Sequence, residues 1–366
     1  MIPLSRPDIT KAEQAAVAAV LKTPFLSLGP RVPEFEQRFA QWTGSRFAVA
    51  VSSGTAGLHL CVHALGLLRG EEVVTTPFSF VASANVLLYE GARPVFVDID
   101  EETLNLDVRA IEAAITSRAR AILPVHVFGL PAEMGEVMRI ARKHRLRVVE
   151  DACEAIGATY RGRKAGTIAE SAVFAFYPNK QMTTGEGGMI VTNEKELHDL
   201  FRSLRNQGRP ADGGWLEHPR MGYNYRLDEM SAALGVAQLK RLDGMLKLRS
   251  KVAERYHELL TEVPGLRTLG CPPQLTRSWF VYVVRLPQGT DRDRVMARLR
   301  GKGISCAKYF PCIHLQPYMR ELGYREGQFP VCERVAKETL ALPFHNRLAA
   351  SDQAKVVRAL KAALGR

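Results

Sequence analysis

Cysteine is scarce in this sequence, and the few cysteines form no recognisable framework. No C-x-x-C pair occurs among Cys61, Cys153, Cys271, Cys306, Cys312 and Cys332. A disulfide scaffold carries far more cysteine than this, so we expect free thiols. His59 and His63 lie four residues apart in HLCVH, where a helix would bring both imidazoles to one face. No third ligand at a familiar spacing accompanies them, and we therefore expect no metal ion.

Long apolar runs are also missing. No stretch approaches the roughly 18 residues that a membrane helix needs, and the opening segment MIPLSRPDITKAEQ lacks the apolar stretch of a signal peptide. We therefore expect a cytoplasmic protein that does not bind membranes. The composition, with 46% apolar and 24% charged residues, is that of a globular protein with a large core. A chain of 366 residues favours two domains over one.

A concentrated basic region is absent, although the net charge is positive. The chain has 50 Lys and Arg residues against 38 Asp and Glu, which gives +12. Such a charge favours anions, whether nucleic acid, phosphorylated metabolites or nucleotides. The basic residues are spread along the chain, without a run of six and without interleaved aromatic residues. This distribution does not indicate nucleic-acid binding.

What the chain does have is a regular alternation of short β-branched runs and helical patterns from residue 47 onward. This alternation predicts a parallel sheet covered by helices on both faces. Seven runs are predicted strands: FAVAVSS, EEVVTTP, RPVFVDID, RAILPVHVFG, LRVVED, SAVFAFY and GGMIVTN. We assign residues 1–12 to an N-terminal arm and residues 13–245 to this large α/β domain.

The remaining chain predicts a smaller domain. Residues 228–263 keep a helical period without proline, as a helix bridging two domains would. After it come a predicted strand in SWFVYVVRL, a helix, a second strand in ISCAKY and two more helices. We assign residues 246–366 to a small C-terminal α+β domain.

One lysine stands out in the segment FAFYPNKQMTTGEGGMIV. Lys180 lies between a predicted strand and a glycine-rich turn, with no neighbouring charge until Glu186. Ligands bind at strand ends in parallel sheets. Partial burial disfavours the charged form of a lysine, and a free amine attacks aldehydes. A solvated loop lysine is the alternative that this segment alone leaves open.

Two further strand ends carry groups that a pyridoxal phosphate site requires. The turn SSGT at residues 52–55 joins a strand to a helix, so that free N–H groups and the hydroxyls of Ser53 and Thr55 can face a phosphate. An ordinary N-cap explains the same turn. Asp151 follows LRVVE at another strand end, where a carboxylate can keep a pyridine nitrogen protonated. The alternative is an aspartate that merely opens a loop.

Several segments occur together in the order and spacing of a known family. They are SSGTAGLHL, FSFVASAN, RPVFVDID, PVHVFG, EDACEAIGA, FYPNKQMTTGEGG, MGYNYRLDEMSAALGVAQL, IHLQPYM and LALPFHNRL. With them, nearly the whole chain resembles the DegT/DnrJ/EryC1/StrS family of nucleotide-sugar aminotransferases. The resemblance implies a fold-type I pyridoxal phosphate enzyme, with a mostly parallel seven-stranded sheet in its large domain. It also implies a homodimer with active sites at the subunit interface.

The resemblance also implies roles for individual residues. Lys180 is the lysine that binds the cofactor and moves the proton, and Asp151 is the partner of the pyridinium nitrogen. Gly54 and Thr55 hold the phosphate, and Phe80 stacks on the cofactor ring.

More distant segments supply the remaining roles that the resemblance implies. Asn224 of GYNYR reaches the phosphate from the other subunit. Arg226 and His314 are candidate substrate contacts, and an arginine can pair two-pronged with a diphosphate. A surface ion pair explains Arg226 equally well.

Two positions depart from the family pattern. Many members have a serine five residues before the lysine, where this chain has Ala175, so one phosphate contact is missing or supplied elsewhere. Three residues after Asp151 the family often has glutamine or histidine near the cofactor, where this chain has Glu154. A carboxylate there helps to keep the pyridine nitrogen protonated. An ion pair of Glu154 with a nearby lysine or arginine is the alternative.

The implied function is transfer of an amino group from L-glutamate to a keto sugar of a nucleotide sugar, in the synthesis of an amino sugar for a polysaccharide or O-antigen. EDACEAIGA resembles the perosamine-type enzymes that act at C4 of a 4-keto-6-deoxy sugar. A C3 or cyclitol aminotransferase and a non-catalytic binding protein on this fold are the alternatives. Related dehydratases have histidine in place of Lys180, and no motif for nucleotide hydrolysis or dinucleotide binding occurs.

Overall fold

Strands and helices alternate along most of the chain. The computed structural model describes residues 1–210 and 216–365. Within these residues the strands are β1 (Phe47–Val51), β2 (Glu72–Thr75), β3 (Arg93–Phe96), β4 (Ala119–Ile122), β5 (Arg147–Asp151), β6 (Thr159–Tyr160), β7 (Arg163–Lys164), β8 (Ser171–Ala175), β9 (Gly188–Thr192), β10 (Arg267–Thr268), β11 (Leu275–Thr276), β12 (Tyr282–Arg285) and β13 (Thr339–Leu342).

The helices cover the sheets and fill the C-terminal part. They are α1 (Lys11–Val20), α2 (Arg31–Thr43), α3 (Gly54–His63), α4 (Ala82–Tyr89), α5 (Val108–Ala114), α6 (Met134–His144), α7 (Lys195–Arg205), α8 (Glu229–Leu239), α9 (Leu242–Leu260), α10 (Arg292–Gly301), α11 (Pro317–Glu321), α12 (Pro330–Glu338) and α13 (Ala350–Ala363). Short 3-10 turns occur at Val127–Gly129 and Ile313–Leu315.

The largest sheet has seven strands in the order β1-β9-β8-β5-β4-β2-β3. Strand β9 is antiparallel to both of its neighbours, and the pairs among β8, β5, β4, β2 and β3 are parallel. The sequence prediction of a mostly parallel seven-stranded sheet is therefore confirmed. Parallel strands end at the same edge of a sheet, so the loops after β5 and β8 lie close together.

The sheet is buried on both faces, which explains why its strands are apolar throughout. Val173 of β8 belongs to the core on one face, together with Leu58 of α3. Phe174, the next residue, belongs to the core on the other face, where its ring contacts Phe39 of α2. This alternation is typical of a strand with helices on both sides.

The C-terminal part contains an antiparallel sheet in the order β10-β12-β13 and helices α10 to α13. Its mixed composition agrees with the predicted α+β organisation, and the boundary at residue 246 stays a prediction. The predicted strand in ISCAKY is absent. Ile304 and Ala307 make only isolated bridges, to Ile2 and Ala341, because the first residues of the chain lie against this segment.

The helix predicted over residues 228–263 is divided in two. Helix α8 ends at Leu239 and α9 begins at Leu242, with a turn at residues 240 and 241. Arg241 at this turn pairs with Glu13, and Gln238 donates hydrogen bonds to Glu13 and to the carbonyl of Asp8. These contacts with the N-terminal segment hold the turn, and no proline or glycine marks it in the sequence.

Within the residues described, no helix is at once long and apolar enough to cross a lipid bilayer.

Candidate active site

A cavity of about 450 Å³ lies where the loops after several strands of the large sheet meet. Six of the seven predicted cofactor-binding residues line it together: Gly54, Thr55, Phe80, Asp151, Glu154 and Lys180. They come from four separate segments of the chain. The cavity therefore brings together the predicted phosphate turn, the predicted partner of the pyridine nitrogen and the predicted lysine.

The phosphate turn is the beginning of helix α3. Ser53 is the N-cap, and its hydroxyl accepts a hydrogen bond of 3.0 Å from the Ala56 N–H. Because the first N–H groups of a helix have no partner within it, those of Gly54 and Thr55 stay available to an anion at this positive helix end. A Cβ on Gly54 would lie 2.7 Å from the Cβ of Ala175, so glycine lets the turn sit against β8.

Asp151 is the last residue of β5 and is almost fully buried. Its Oδ2 accepts a hydrogen bond of 2.7 Å from the hydroxyl of Ser83, and its Oδ1 accepts one of 3.1 Å from the Cys153 N–H. Ser79 in turn lies 3.1 Å from Ser83, oxygen to oxygen. These contacts fix the orientation of the carboxylate at the cavity wall.

Lys180 lies in the loop between β8 and β9, and its side chain is only 13% exposed. Its Nζ is 3.9 Å from Oε1 of Glu154 and 4.2 Å from the ring centroid of Phe280. The backbone N–H of Lys180 donates to the carbonyl of Tyr177, which fixes the loop locally. The amine is therefore held on an aromatic ring and beside a carboxyl group, inside the cavity.

Glu154 is buried and receives a hydrogen bond of 2.8 Å at Oε2 from the Phe128 N–H. Burial raises the pKa of Glu154 to about 7, and the neighbouring Asp151 acts in the same direction. Lys180 and the Phe128 N–H oppose that rise. The sequence left open an ion pair of Glu154 with a nearby lysine or arginine. That partner is Lys180, which lines the same cavity.

These residues fit pyridoxal phosphate. The helix start offers N–H donors to a dianion, and the buried carboxylate of Asp151 suits a protonated ring nitrogen. The amine of Lys180 suits an aldehyde, and the rings of Phe80 and Phe280 line the same space. The donor set and its arrangement match the three polar parts of the cofactor.

The sequence missed several residues that line or support the cavity. Ser79 and Ser83 stand in FSFVASAN, where only Phe80 was singled out. Their spacing of four residues, with Ser79 in the loop before α4 and Ser83 in its first turn, was the available signal. Phe280, Tyr309 and Phe310 come from the C-terminal part. No local pattern links these three residues to Lys180, since they meet it only after folding.

Three predicted site residues are not among those that line the cavity. Asn224 is exposed and pairs through its backbone with Asn206. Arg226 donates a hydrogen bond of 3.0 Å to Oδ1 of Asn206. Burial lowers the pKa of Arg226, and so do the positive charges of Arg209 and Arg205.

His314 is also outside the cavity lining, with its ring fully buried. Its Nε2 lies 3.1 Å from Oε1 of Glu333, and burial lowers its pKa. The 3-10 turn at Ile313–Leu315 points the ring to the interior, so the structure does not bring it to the substrate space.

The histidine pair of HLCVH shares one carboxylate. His59 Nε2 lies 2.7 Å from Oε1 of Glu90, and His63 Nδ1 lies 3.1 Å from its Oε2. The hydroxyl of Tyr225 completes the contacts of His59 at 3.0 Å. Both imidazoles are thus hydrogen-bonded to the carboxylate of Glu90, His59 through Nε2 and His63 through Nδ1.

Comparisons with known proteins agree with this geometry. Residues 7–361 match the DegT/DnrJ/EryC1/StrS aminotransferase family. The chain is 39% identical over 365 residues to the GDP-perosamine synthase of Caulobacter vibrioides, which covers 98% of this chain and 97% of that protein.

Solved structures are similar over their whole length. Spr1654 from Streptococcus pneumoniae, in its PMP form, superposes with a TM-score of 0.95 at 26% identity, covering 99% of each chain. DesV from S. venezuelae, in complex with a ketimine intermediate, gives a TM-score of 0.93 at 35% identity. That match covers 100% of this chain and 99% of DesV.

Proposed function

The chain belongs to the DegT/DnrJ/EryC1/StrS aminotransferase family, whose members are pyridoxal phosphate-dependent sugar aminotransferases, and on this basis we propose its donor and acceptor. The donor is L-glutamate, and the acceptor is a 4-keto-6-deoxy sugar carried by a nucleoside diphosphate, aminated at C4. The enzyme acts as a cytoplasmic homodimer. The observation that carries the proposal is the amine of Lys180, held in the cavity 3.9 Å from the carboxyl of Glu154.

The cofactor, when bound, supplies an aldehyde that takes up the amino group and a ring that withdraws electrons from the substrate carbon. The chain supplies the proton transfers. Lys180 is the only lysine among the described residues that line the cavity, and no histidine lines it there. Its Nζ is therefore the group that holds and returns the proton in both half-reactions.

Glu154 adjusts this proton transfer. In its charged form the carboxylate stabilises the ammonium of Lys180, and in its neutral form it does not. With a pKa of about 7, both forms are present near neutral pH. Phe280, whose ring lies against Nζ, keeps water from one side of the amine.

Asp151 and the helix start orient the cofactor from its two ends. The carboxylate of Asp151, fixed by Ser83, would keep the ring nitrogen of a bound cofactor protonated. The N–H groups of Gly54 and Thr55 bind the phosphate at the beginning of α3. Lys180 lies in the same cavity as these groups, where its Nζ could hold or return a proton beside a cofactor that they would hold.

The substrate phosphates need a positive surface, and the segment around Arg226 provides one. Burial lowers the pKa of Arg226, and repulsion from the positive charges of the nearby Arg209 and Arg205 lowers it further. A diphosphate relieves such repulsion and pairs well with guanidinium groups. We assign the contact with the substrate diphosphate to Arg226. Arg226 and Asn224 belong to one segment, and we propose that this segment lies against the cavity of the other subunit.

Amination at C4 is supported by two features. Glu154 stands in EDACEAIGA, which resembles the perosamine-type C4 enzymes, and the Caulobacter relative carries the name GDP-perosamine synthase. A C4 carbonyl must lie about 3 to 3.5 Å from the amino nitrogen while the diphosphate reaches its arginine. To bring a C3 carbonyl to the same nitrogen, the sugar would have to shift relative to the arginine that binds the diphosphate.

The test uses the enzyme loaded with pyridoxamine phosphate and a single turnover. Matched 3-keto and 4-keto 6-deoxy sugar nucleotides are added separately, and the return of the aldehyde form is followed by absorbance. We expect the 4-keto compounds to react faster, and the Lys180→Ala variant to react with neither. Faster reaction of the 3-keto compounds contradicts C4, and reaction with no keto sugar contradicts the substrate class.

A further inference from the structure

We propose that Cys312, His314 and Cys332 form a buried binding site for a borderline or soft metal ion of the zinc(II) type. One potential ligand atom from each residue lies within 4.8 Å of the other two, and all three side chains are buried. The two sulfur atoms are 3.4 Å apart. The site is separate from the cavity and independent of the proposed sugar substrate.

The sulfur separation suits a shared tetrahedral ion. With metal–sulfur bonds of about 2.3 Å, two thiolates on a tetrahedral zinc ion lie about 3.8 Å apart. The observed 3.4 Å needs only a small outward shift of the two sulfurs. Two thiolates and an imidazole also form one of the common zinc ligand sets, Cys2His, with one position left for a further ligand.

His314 is prepared to bind an ion through one nitrogen. Its Nε2 lies 3.1 Å from Oε1 of Glu333, and that carboxylate is fixed by N–H donors from Gly327 and Phe329. A carboxylate partner places the proton on Nε2 and leaves the lone pair on Nδ1. Such a carboxylate–histidine pair is typical of metal-bound histidines.

The other nitrogen of His314 needs a partner. Nδ1 is buried and makes no hydrogen bond with the described residues. A buried acceptor without a partner is destabilising, so a native structure seldom keeps one without a reason. An ion bound to Nδ1 and to the two neighbouring sulfurs removes this cost.

This unpartnered nitrogen favours a metal over a disulfide. A bond between Cys312 and Cys332 would leave Nδ1 of His314 as it is, and it would need an oxidant to take up two electrons. Binding a divalent ion needs no redox step. The ion replaces the two S–H protons, which are released, so the charge within the buried site does not change.

An ion here would tie two segments together beside the cavity. Cys312 and His314 lie on either side of Ile313, where the 3-10 turn begins. The N–H of Ile313 donates to the carbonyl of Pro77. Phe310, two residues before Cys312, lines the cavity. Cys332 lies in α12, whose first N–H groups are held by Asp98. The ion would therefore cross-link the segment 310–314 to helix α12.

The test measures metal in the untagged holoenzyme. The protein is treated with a chelator, dialysed, and then incubated with zinc(II) or cobalt(II), and bound metal is determined by mass spectrometry of the elements. We expect about one equivalent per chain and, with cobalt(II), thiolate charge-transfer and tetrahedral d–d bands. Loss of these signals is expected in Cys312→Ser and in Cys332→Ala, where alanine suits a helical position.

Cys306→Ser is the matched control, because Cys306 is buried to the same extent as Cys312 but lies outside the cluster. It should keep the full metal content and the cobalt spectrum. The proposal is overturned if the wild-type chain binds less than about a tenth of an equivalent. It is also overturned if its mass is about 2 Da low from a Cys312–Cys332 disulfide, or if Cys306→Ser loses the ion as the cluster variants do.

Discussion

At the scale of single residues, the pKa of Glu154 makes the stability of the cofactor-free protein depend on pH. Burial raises this pKa from 4.5 to about 7. Between these values the folded protein binds a proton that the unfolded chain has lost, so stability falls as pH rises through that window. Above pH 7 the carboxylate is charged in both states and its contribution no longer changes.

The Glu154→Gln variant should lose this pH dependence. We expect wild-type stability to fall by roughly 3 kcal/mol between about pH 4.5 and 7.5 through this group, and the variant to lack that part of the change. Urea unfolding of the cofactor-free protein at several pH values measures it. Glu262→Gln, at an exposed carboxyl, should follow the wild type. Identical slopes in wild type and Glu154→Gln would show that Glu154 titrates normally.

Ala175 allows a gain of affinity to be tested. It ends β8, lines the cavity and lies against Gly54, where the phosphate donors begin. A hydroxyl in the Ala175→Ser variant should add one hydrogen bond to a charged phosphate, about 1.5 kcal/mol, or roughly tenfold tighter cofactor binding. Equilibrium titration of the cofactor-free protein measures this.

The control for this change is Ala172→Ser, on the same strand but packed in the core of the opposite face. It should not tighten cofactor binding. Unchanged or weaker binding by Ala175→Ser would mean that another group already occupies the phosphate oxygen concerned.

The residues that carry the polar chemistry of the cavity could be predicted from the sequence, and the reason is local. Asp151 ends a strand of the parallel part of the sheet, Gly54 and Lys180 lie in segments that follow other strands, and such strand ends lie at one edge of the sheet. The orientation of His314 could not be predicted, because it depends on Glu333 from another helix. The approach of Cys312 to Cys332 likewise joins two segments that no sequence spacing connects.

At the scale of elements, the start of α3 packs closely against the end of β8, and phosphate binding depends on this contact. A Cβ on Gly54 would lie 2.7 Å from the Cβ of Ala175 and 3.1 Å from Sγ of Cys153. Neither distance is tolerated without movement of the helix start. Such overpacking costs about 1 to 3 kcal/mol and displaces the N–H donors from the phosphate.

The Gly54→Ala variant should therefore bind pyridoxal phosphate at least about tenfold more weakly. Gly244→Ala is the matched control, because Gly244 lies in helix α9 with open space around it. Gly244→Ala should not change the affinity for the cofactor, and it should stabilise the protein by about 0.4 to 1 kcal/mol. Equal cofactor affinity in Gly54→Ala and wild type would show that the helix start does not hold the phosphate.

The strands were more predictable than the helix boundaries. Buried parallel strands are continuous apolar runs, so all seven strands of the large sheet could be located from the sequence. The division between α8 and α9 could not, since the turn is held by contacts of Gln238 and Arg241 with the N-terminal segment. For the same reason, ISCAKY has the composition of a strand but pairs only through isolated bridges.

At the scale of the whole molecule, the position of Asn224 bears on how two subunits would form a site. Its side chain is exposed and does not line the cavity of its own chain. The next residue, Tyr225, accepts a hydrogen bond of 2.8 Å at its carbonyl from the Ser52 N–H. The segment is thus fixed beside the phosphate turn while its side chain faces outward, as a contact to a second subunit requires.

Mixing inactive chains tests this shared site. A dimer of Lys180→Ala with Asn224→Ala has one cavity with both changes and one with neither, so a random mixture should recover about a quarter of wild-type activity. A mixture of Lys180→Ala with the chain carrying both changes should recover none. If the first mixture is also inactive although mixed dimers have formed, Asn224 acts in its own subunit.

The central claim is that Lys180 is the residue that binds the cofactor in this cavity. The holoenzyme is reduced with borohydride, digested, and the modified peptide is identified by mass spectrometry. Lys164 is a useful internal comparison, because its amine also lies on an aromatic ring, 3.9 Å from the ring centroid of Trp42, but outside the cavity. We predict a single pyridoxyl adduct on Lys180 and none on Lys164. An adduct on any other lysine, or no adduct after incubation with the cofactor, would contradict the account.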